Sequence, residues 1–310
     1  MKKKFIIIDS NSLIHRAFHA LPPLTAKNGE LVNAVYGFLL VFLKCIKEFD
    51  PKYIAACFDL PGITFRHKEF KKYKATRPKT PKDLLDQIPK LKEILNAFSV
   101  PIFEKQGFEA DDLIGTITKI VNNEQKTMSS GEIELIILSG DLDTLQVIDK
   151  DTKVYTLKRG VKDTVFYDEK EVKKRYQISP LQFVDFKALK GDSSDNIPGI
   201  PGIGEKTAIT LLKEFGTLEN LYKEIEKDSE KTKNIKPKIK NTLKELKEQA
   251  FLSKKLAQIR YDVPIDFNLK KCQWEDYDEK KVVNIFKKYE FYSLIDKLPK
   301  HERKILKRLF

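Results

Sequence analysis

The sequence predicts an α/β domain built on a central, mostly parallel sheet flanked by helices, followed by a helical region. Three observations carry this. Apolar, β-prone runs at residues 5–8, 53–58 and 135–138 are each followed by an aspartate: Asp9, Asp59 and, after Ser139-Gly140, Asp141. Helix-periodic segments over 32–48 and 84–98 separate those runs, the alternation of a parallel sheet whose ligands gather at the strands' carboxyl ends. Residues 191–208 then place Asp192 and Asp195 ahead of Gly202-Ile203-Gly204, a turn that opens an amphipathic helix.

With 310 residues and 41% apolar content the chain can bury a sizeable core, and its formal charge of +13 fits either a polyanionic partner or a general, lysine-rich composition bias. The opening Met1-Lys2-Lys3-Lys4 precedes only four apolar residues, so it reads as a strand and not a signal peptide. No segment approaches the roughly 20 apolar residues of a membrane span. Cys45, Cys57 and Cys272 are isolated, which fits a reduced cytoplasm. The four histidines are not paired with cysteines at zinc-site spacing.

Taken in order, residues 66–82 hold Arg66, Lys68, Lys71, Lys72, Lys74, Arg77, Lys79 and Lys82 against one acid, Glu69, with Phe70 and Tyr73 interleaved. A solvated helix face normally mixes its signs; cations clustered with aromatics suit a nucleic-acid backbone. Next, Glu109, Asp111 and Asp112 crowd the first turn of a helix that continues through Leu113, Ile114, Ile117 and Val121. One or two acids there suit the helix dipole, but three repel unless a cation sits among them. Asp141 and Asp143 follow the third run, with Asp143 a candidate cap for a helix through Leu145 and Val147. Residues 125–132 read as an exposed loop and 153–168 as a β-hairpin around Arg159-Gly160.

At 191–208, a spacing of three residues puts Asp192 and Asp195 on one side of a helical turn, and the glycine turn leaves helix N–H groups free for a phosphate. Two capped helices joined by a tight turn would give the same sequence. A Walker loop is excluded because Glu205 separates Gly204 from Lys206. Beyond it, 224–247 is dense in charge and interrupted by Pro237, 243–259 is helical, 260–267 extended, and a last amphipathic helix ends near residues 291–294.

A single strand-end aspartate has an ordinary reading as a helix cap. Nine acids at strand ends and helix starts do not: Asp9, Asp59, Glu109, Asp111, Asp112, Asp141, Asp143, Asp192 and Asp195. Oxygen-only ligands select hard ions such as Mg²⁺ or Mn²⁺, and two of them roughly 4 Å apart serve phosphodiester hydrolysis.

The order of these residues resembles the 5′-nuclease family, which includes the N-terminal 5′–3′ exonuclease domain of bacterial DNA polymerase I and the flap endonucleases. The resemblance runs from about residue 4 to 298. It is carried by Ile8-Asp9-Ser10, Arg16-Ala17-Phe18-His19-Ala20, Phe58-Asp59, Tyr73-Lys74-Ala75-Thr76-Arg77-Pro78, Glu109-Ala110-Asp111-Asp112, Gly140-Asp141-Leu142-Asp143, Gly191-Asp192-Ser193-Ser194-Asp195-Asn196 and Gly202-Ile203-Gly204-Glu205-Lys206-Thr207-Ala208.

The resemblance implies a PIN/5′-nuclease-like core over 1–178 with a helical arch at about 64–100 and a helix-hairpin-helix region over 179–298; residues 299–310, mostly basic, read as a tail. Asp9, Asp59, Glu109, Asp111 and Asp141 would surround a first metal ion; Asp143, Asp192 and Asp195 would hold a second, with Asp112 close by. Lys74 and Arg77 would act with Asp141 at the scissile phosphate. Arg16, Arg66, Lys71 and Lys72 would contact nucleic acid, as would Gly202, Gly204, Lys206 and Thr207 of the hairpin element, where a K⁺ ion often binds. His15 replaces the Tyr usual in bacterial relatives.

The expected protein is thus a monomeric, cytoplasmic, free-standing nuclease. Its substrates would be 5′ flaps, branched or nicked duplexes and RNA-primed ends, handled alongside a separate DNA polymerase. A PIN-type ribonuclease and a non-catalytic DNA-binding protein are the alternatives.

Overall fold

The computed structural model describes residues 2–127, 132–161, 163–274 and 276–299. Its sheet contains β1 (Lys3–Asp9), β2 (Tyr53–Phe58), β3 (Ile102–Glu104), β4 (Ile133–Ser139), β5 (Thr152–Arg159) and β6 (Asp163–Tyr167), in the order β3-β2-β1-β4-β5-β6. Neighbours are parallel except β5 and β6, which form the expected antiparallel hairpin.

The apolar runs are unbroken because both faces of the sheet are covered. Phe5, Ile7, Cys57, Leu135 and Ile137 pack in one cluster with Leu113, Ile114 and Ile117 of helix Ala110–Thr127. Ile6, Ile8, Ile54, Ile136 and Leu138 pack in another with helices Ser10–Ala20, Asn33–Phe49 and Ile88–Ala97. Alternate residues of a strand point to opposite faces, so a strand covered twice shows no polar alternation.

The chain runs outward from β1 to β2 and β3, then crosses back to β4 on the other side of β1. Ile8 is level with Ala56 and with Leu138, and Asp9 with Cys57. The three strands therefore finish together, and a crevice opens where the strand order reverses. Asp9, Asp59 and Asp141 reach one edge for this reason.

Several expected boundaries differ. Residues 84–98 form two helices, Lys82–Leu85 and Ile88–Ala97. The buried side chain of Gln87 fills the break, its Oε1 accepting from the backbone N–H of Ala34 at 2.9 Å and so serving the start of Asn33–Phe49. Gln125 and Lys126 are helical; residues 128–131 of that expected loop lie outside the described residues. The structure after β4 is a 3₁₀ helix, Leu142–Val147, capped by Asp141 and not by Asp143. Pro237 interrupts nothing; it opens helix Pro237–Glu245, where its missing N–H costs no hydrogen bond.

The helical region contains Phe183–Lys190, Glu205–Phe215, Leu218–Glu226, Pro237–Glu245 and Lys247–Ala257. Helix Glu279–Lys288 returns to the sheet layer, burying Val282 and Phe286 in the cluster of Phe42 and Phe98. Of the expected basic tail, residues 300–310 lie outside the described residues.

Residues 191–199 form a closed loop. The backbones of Asp192 and Ile197 exchange hydrogen bonds of 2.9 and 2.8 Å. Gly191 and Gly199 have φ of 80° and 59°, and a Cβ on Gly199 would stand 2.3 Å from the nitrogen of Gly191, a clash no side chain escapes. Asp192 and Asp195 are therefore on a tight loop and not a helical turn, and the Ser194 hydroxyl lies between their carboxylates, 2.7 Å from Asp192 and 3.4 Å from Asp195.

Candidate active site

At the crevice a pocket of about 270 Å³ is lined by Asp9, Asp59, Glu109, Asp111, Asp141 and Asp195, together with His15, Lys74 and Arg77. Each acid is fixed by the element that delivers it. Asp9 ends β1 and caps helix Ser10–Ala20, accepting from Ser12 N at 3.2 Å and, through Oδ2, from the Ser139 hydroxyl at 2.6 Å. Asp59 accepts from Ala110 N at 2.7 Å and so meets the start of helix Ala110–Thr127. Asp141 accepts from Asp143 N at 3.0 Å. Arg16 donates to the carbonyl of Gly140 at 3.0 Å, bracing the turn that carries Asp141.

The basic segment folds over this pocket. It contains one short helix, Phe65–Glu69, and then turns. Lys74, at φ 54°, donates from its backbone to Asp195 O at 2.9 Å and from Nζ to Glu109 Oε1 at 2.8 Å. Arg77 pairs with Asp195 through its guanidinium and donates from Nε to Ser194 O at 3.1 Å. Tyr73, 3% exposed, has its hydroxyl between two acceptors, Asp195 at 2.9 Å, the nearer, and Glu109 at 3.1 Å. Tyr73 packs in one cluster with Ile197 and Leu256 and is not a free stacking surface, whereas Phe70 is half-buried against that cluster and lines a groove with Lys71 and Lys72.

Of the expected site, Asp112, Asp143, Asp192 and Arg66 do not line this pocket. Arg66 is 3% exposed, its guanidinium held by both oxygens of Asp112 at 2.8 Å and by Leu256 O at 2.9 Å. It is not available to a phosphate. Asp112 is wholly buried, and it also accepts from the backbone N–H of Arg260 and of Glu109. Its oxygens are spent on this pair, and it does not line the pocket. Adjacent helical residues point about 100° apart, so Asp111 can face the crevice only if Asp112 turns away.

Asp143 and Asp192 form a second acidic pair. The ammonium of Lys187, on helix Phe183–Lys190, contacts Asp143 and lies 2.5 Å from Asp192. Asp192 also accepts from Ser194 N at 2.8 Å and its hydroxyl at 2.7 Å. Lys71, Lys72, Gly202, Gly204 and Lys206 are exposed and Thr207 half-buried. Gly204 precedes helix Glu205–Phe215 with no side-chain cap, which leaves the first N–H groups directed outward.

The electrostatics reflect crowding of like charge. Burial, with Asp59 nearby, lifts Asp9 to about 6. Burial, with Asp141 nearby, lifts Asp143 to about 7 despite Lys187. Asp111 is pushed well above the usual carboxylate range by burial and by Asp9, Asp141 and Asp143. Asp192 and Asp195 go the other way: burial raises each, but Lys187 outweighs it at Asp192, and Lys74 with Arg77 at Asp195. Among the described residues, no three His, Cys, Asp or Glu side chains already enclose an ion site. The donor set is nonetheless all carboxylate oxygen, and its raised proton affinities mark a place short of positive charge, which suits a hard divalent ion.

Sequence reasoning missed Lys187, Tyr73's hydroxyl, Ser139 and Arg260. Asp112's role was signalled by Glu109-x-x-Asp112, the spacing at which a side chain reaches back to the N-cap amide.

Acids converging on the carboxyl edge of a parallel sheet, beside a cationic segment and an uncapped glycine turn, form a site whose chemistry suits phosphodiester hydrolysis. Residues 4–177 match the family model described as 5'-3' exonuclease, N-terminal resolvase-like domain, and residues 178–280 match 5'-3' exonuclease, C-terminal SAM fold. The chain belongs to the 5'-3' exonuclease family. Among curated relatives, DNA polymerase I of Bacillus subtilis (strain 168) is 40% identical over 297 residues, covering 96% of this chain and 32% of that protein. DNA polymerase I of Bacillus caldotenax is 42% identical over 299 residues, with 96% and 32% covered. The chain thus spans about a third of their length. Of solved structures, zinc-bound T5 5'-exonuclease superposes with a TM-score of 0.64 at 20% identity, covering 96% of this chain and 100% of that one. The catalytic core of Rad2 in complex with DNA substrate superposes with 0.58 at 17%, covering 96% and 93%. These two share the fold.

Proposed function

We propose that this chain is a divalent-metal-dependent 5′–3′ exonuclease and 5′ flap endonuclease, acting on DNA and RNA-primed phosphodiesters at flaps, branches and nicks. The observation that carries the reading is the pocket in which strand-end carboxylates face Lys74 and Arg77. Asp9, Asp59, Glu109, Asp111 and Asp141 would hold a first Mg²⁺ or Mn²⁺, and Asp143, Asp192 and Asp195 a second. Such ions supply an activated water and stabilise the leaving oxygen.

The chain's own residues do the rest. Lys74 and Arg77, now paired with Glu109 and Asp195, would exchange those carboxylates for the phosphate oxygens of the strand to be cut. Arg16 braces the turn that aims Asp141. Lys71 and Lys72 extend the cationic surface from the pocket mouth, and Gly202, Gly204, Lys206 and Thr207 would grip duplex backbone, with K⁺ as a further ligand of that turn. Solution as a monomer, a cytoplasmic setting and work beside a DNA polymerase complete the reading; the polymerase relatives motivate the last.

A 5′-labelled flap duplex incubated with protein and Mg²⁺, with EDTA as control, tests it. Metal-dependent incision near the junction is expected; none in Mg²⁺ or Mn²⁺ would overturn it, and preference for single-stranded RNA would point to a ribonuclease.

A further inference from the structure

Lys187 sits where the proposed reaction has no role for a lysine. Its residue is 9% exposed, whereas Lys190 on the same helix has a side chain 42% exposed and meets Glu205 at 3.5 Å on the surface. Phe183, Phe186 and Leu189 bury the helix and carry Lys187 inward. There its ammonium bridges Asp143, from the 3₁₀ helix after β4, and Asp192, from the closed loop. Burying an ammonium costs several kcal/mol unless well-placed partners offset it. Two carboxylates from separate elements provide that, and they in turn need a cation between them.

The charges are informative. When both are ionised, Asp143 and Asp192 sum to minus two, and the ammonium leaves minus one. A divalent ion would neutralise the pair only if the ammonium moved out; with the ammonium in place the cluster would become positive. The four-carbon lysine stem permits such a movement.

We propose that Lys187 is a tethered counter-cation: it positions Asp143 and Asp192 for a second divalent ion and competes with that ion for them. This inference rests on the metal-dependent reading above. Its consequence is two unequal ions, the one among Asp9, Asp111 and Asp141 bound tightly and the one at Asp143 and Asp192 bound weakly.

Calorimetric titration with Mn²⁺ alone, without nucleic acid, tests it on the whole chain and on Lys187→Met, with Lys187→Arg as the charge-conserving control. In the Met variant the weaker class should tighten about tenfold or more, the effect of removing a unit charge a few ångströms away, while the stronger class stays unchanged. Lys187→Arg should keep the parent isotherm. In EDTA the Met variant should melt below the parent, and saturating Mn²⁺ should close the gap. Should Lys187→Met fail to fold, Lys187→Gln, which keeps hydrogen-bond donors without the charge, carries the same comparison. Superimposable isotherms for parent and neutral variant would overturn the inference alone. No Mn²⁺ binding by the parent would overturn the metal-dependent reading and this inference with it.

Discussion

The hydroxyl of Tyr73 donates to Asp195 at 2.9 Å, joining the cationic segment to the closed loop across the mouth of the pocket. Around it, Lys74 N bonds Asp195 O at 2.9 Å and the Asn196 amide bonds Lys72 O at 2.6 Å. The segment is fastened to the loop by backbone as well as side chains, so Tyr73→Phe should loosen it without unfolding it. Loss of this hydrogen bond should cost about 1 kcal/mol and speed hydrogen exchange at the Lys74 amide; unchanged exchange there would count against the fastening role.

Arg66 and Lys71 look alike in the sequence and should behave oppositely. Arg66→Met strands the wholly buried Asp112 and should destabilise the fold by about 3–5 kcal/mol, seen in urea denaturation. Combining it with Asp112→Leu should recover much of that loss. Lys71→Ala should leave the melting temperature within error and weaken flap-duplex binding instead. A stable Arg66→Met with selectively weakened DNA binding would reverse the assignment made here.

Asp141→Ala should abolish metal-dependent cleavage while leaving duplex affinity largely intact, because a ligand of the proposed metal would serve the transition state. Lys206→Ala, distant from the pocket, should weaken duplex binding and lower the slope of log affinity against log salt by about one. Filter binding at several salt concentrations separates the two; an unchanged slope for Lys206→Ala would remove that residue from the phosphate-binding turn.

Folded values of about 6 for Asp9 and about 7 for Asp143 stand above an unfolded value of roughly 4. The folded chain then binds more protons than the unfolded one between those limits, so stability falls as pH rises from about 4 to about 7 and then levels off. Asp192 and Asp195, held low by their cationic partners, stabilise at higher pH and lose that contribution as pH falls below about 4. In EDTA the melting temperature should therefore peak in mild acid and decline toward neutrality. Mg²⁺ should flatten the decline by restoring the ionised carboxylates. A profile that is flat in EDTA, or equally steep in Mg²⁺, would contradict this.

The parts of the site legible in the sequence were those set by local periodicity. Asp9, Asp59 and Asp141 could be placed because a doubly covered strand reads as an unbroken apolar run, and the aspartate follows at once after the first two runs and past Ser139-Gly140 after the third. Tertiary pairing was not legible. Arg66 belongs to a basic cluster by composition, and only the fold brings Asp112, 46 residues away, against it. Lys187 reads as a lysine on the rim of an apolar helix, a common arrangement in which the stem packs and the head stays wet; its partner Asp143 is 44 residues distant. The 84–98 helix failed for a different reason, since no periodicity announces that Gln87 is needed to serve another helix's amides.

The clash between Gly191 and any side chain at 199 means that the two ends of the loop touch backbone to backbone, so the ring closes only with glycine there. One rim of that ring carries Asp192 and Asp195; the chain leaving its other side reaches Gly202 five residues after Ile197. With duplex gripped at Gly202 as proposed, such a ring would set a fixed gauge. Its cut should fall at a constant offset from the end of the duplex whatever the length of the protruding strand, and a residue inserted into the ring should shift or scatter the product ladder before it lowers affinity.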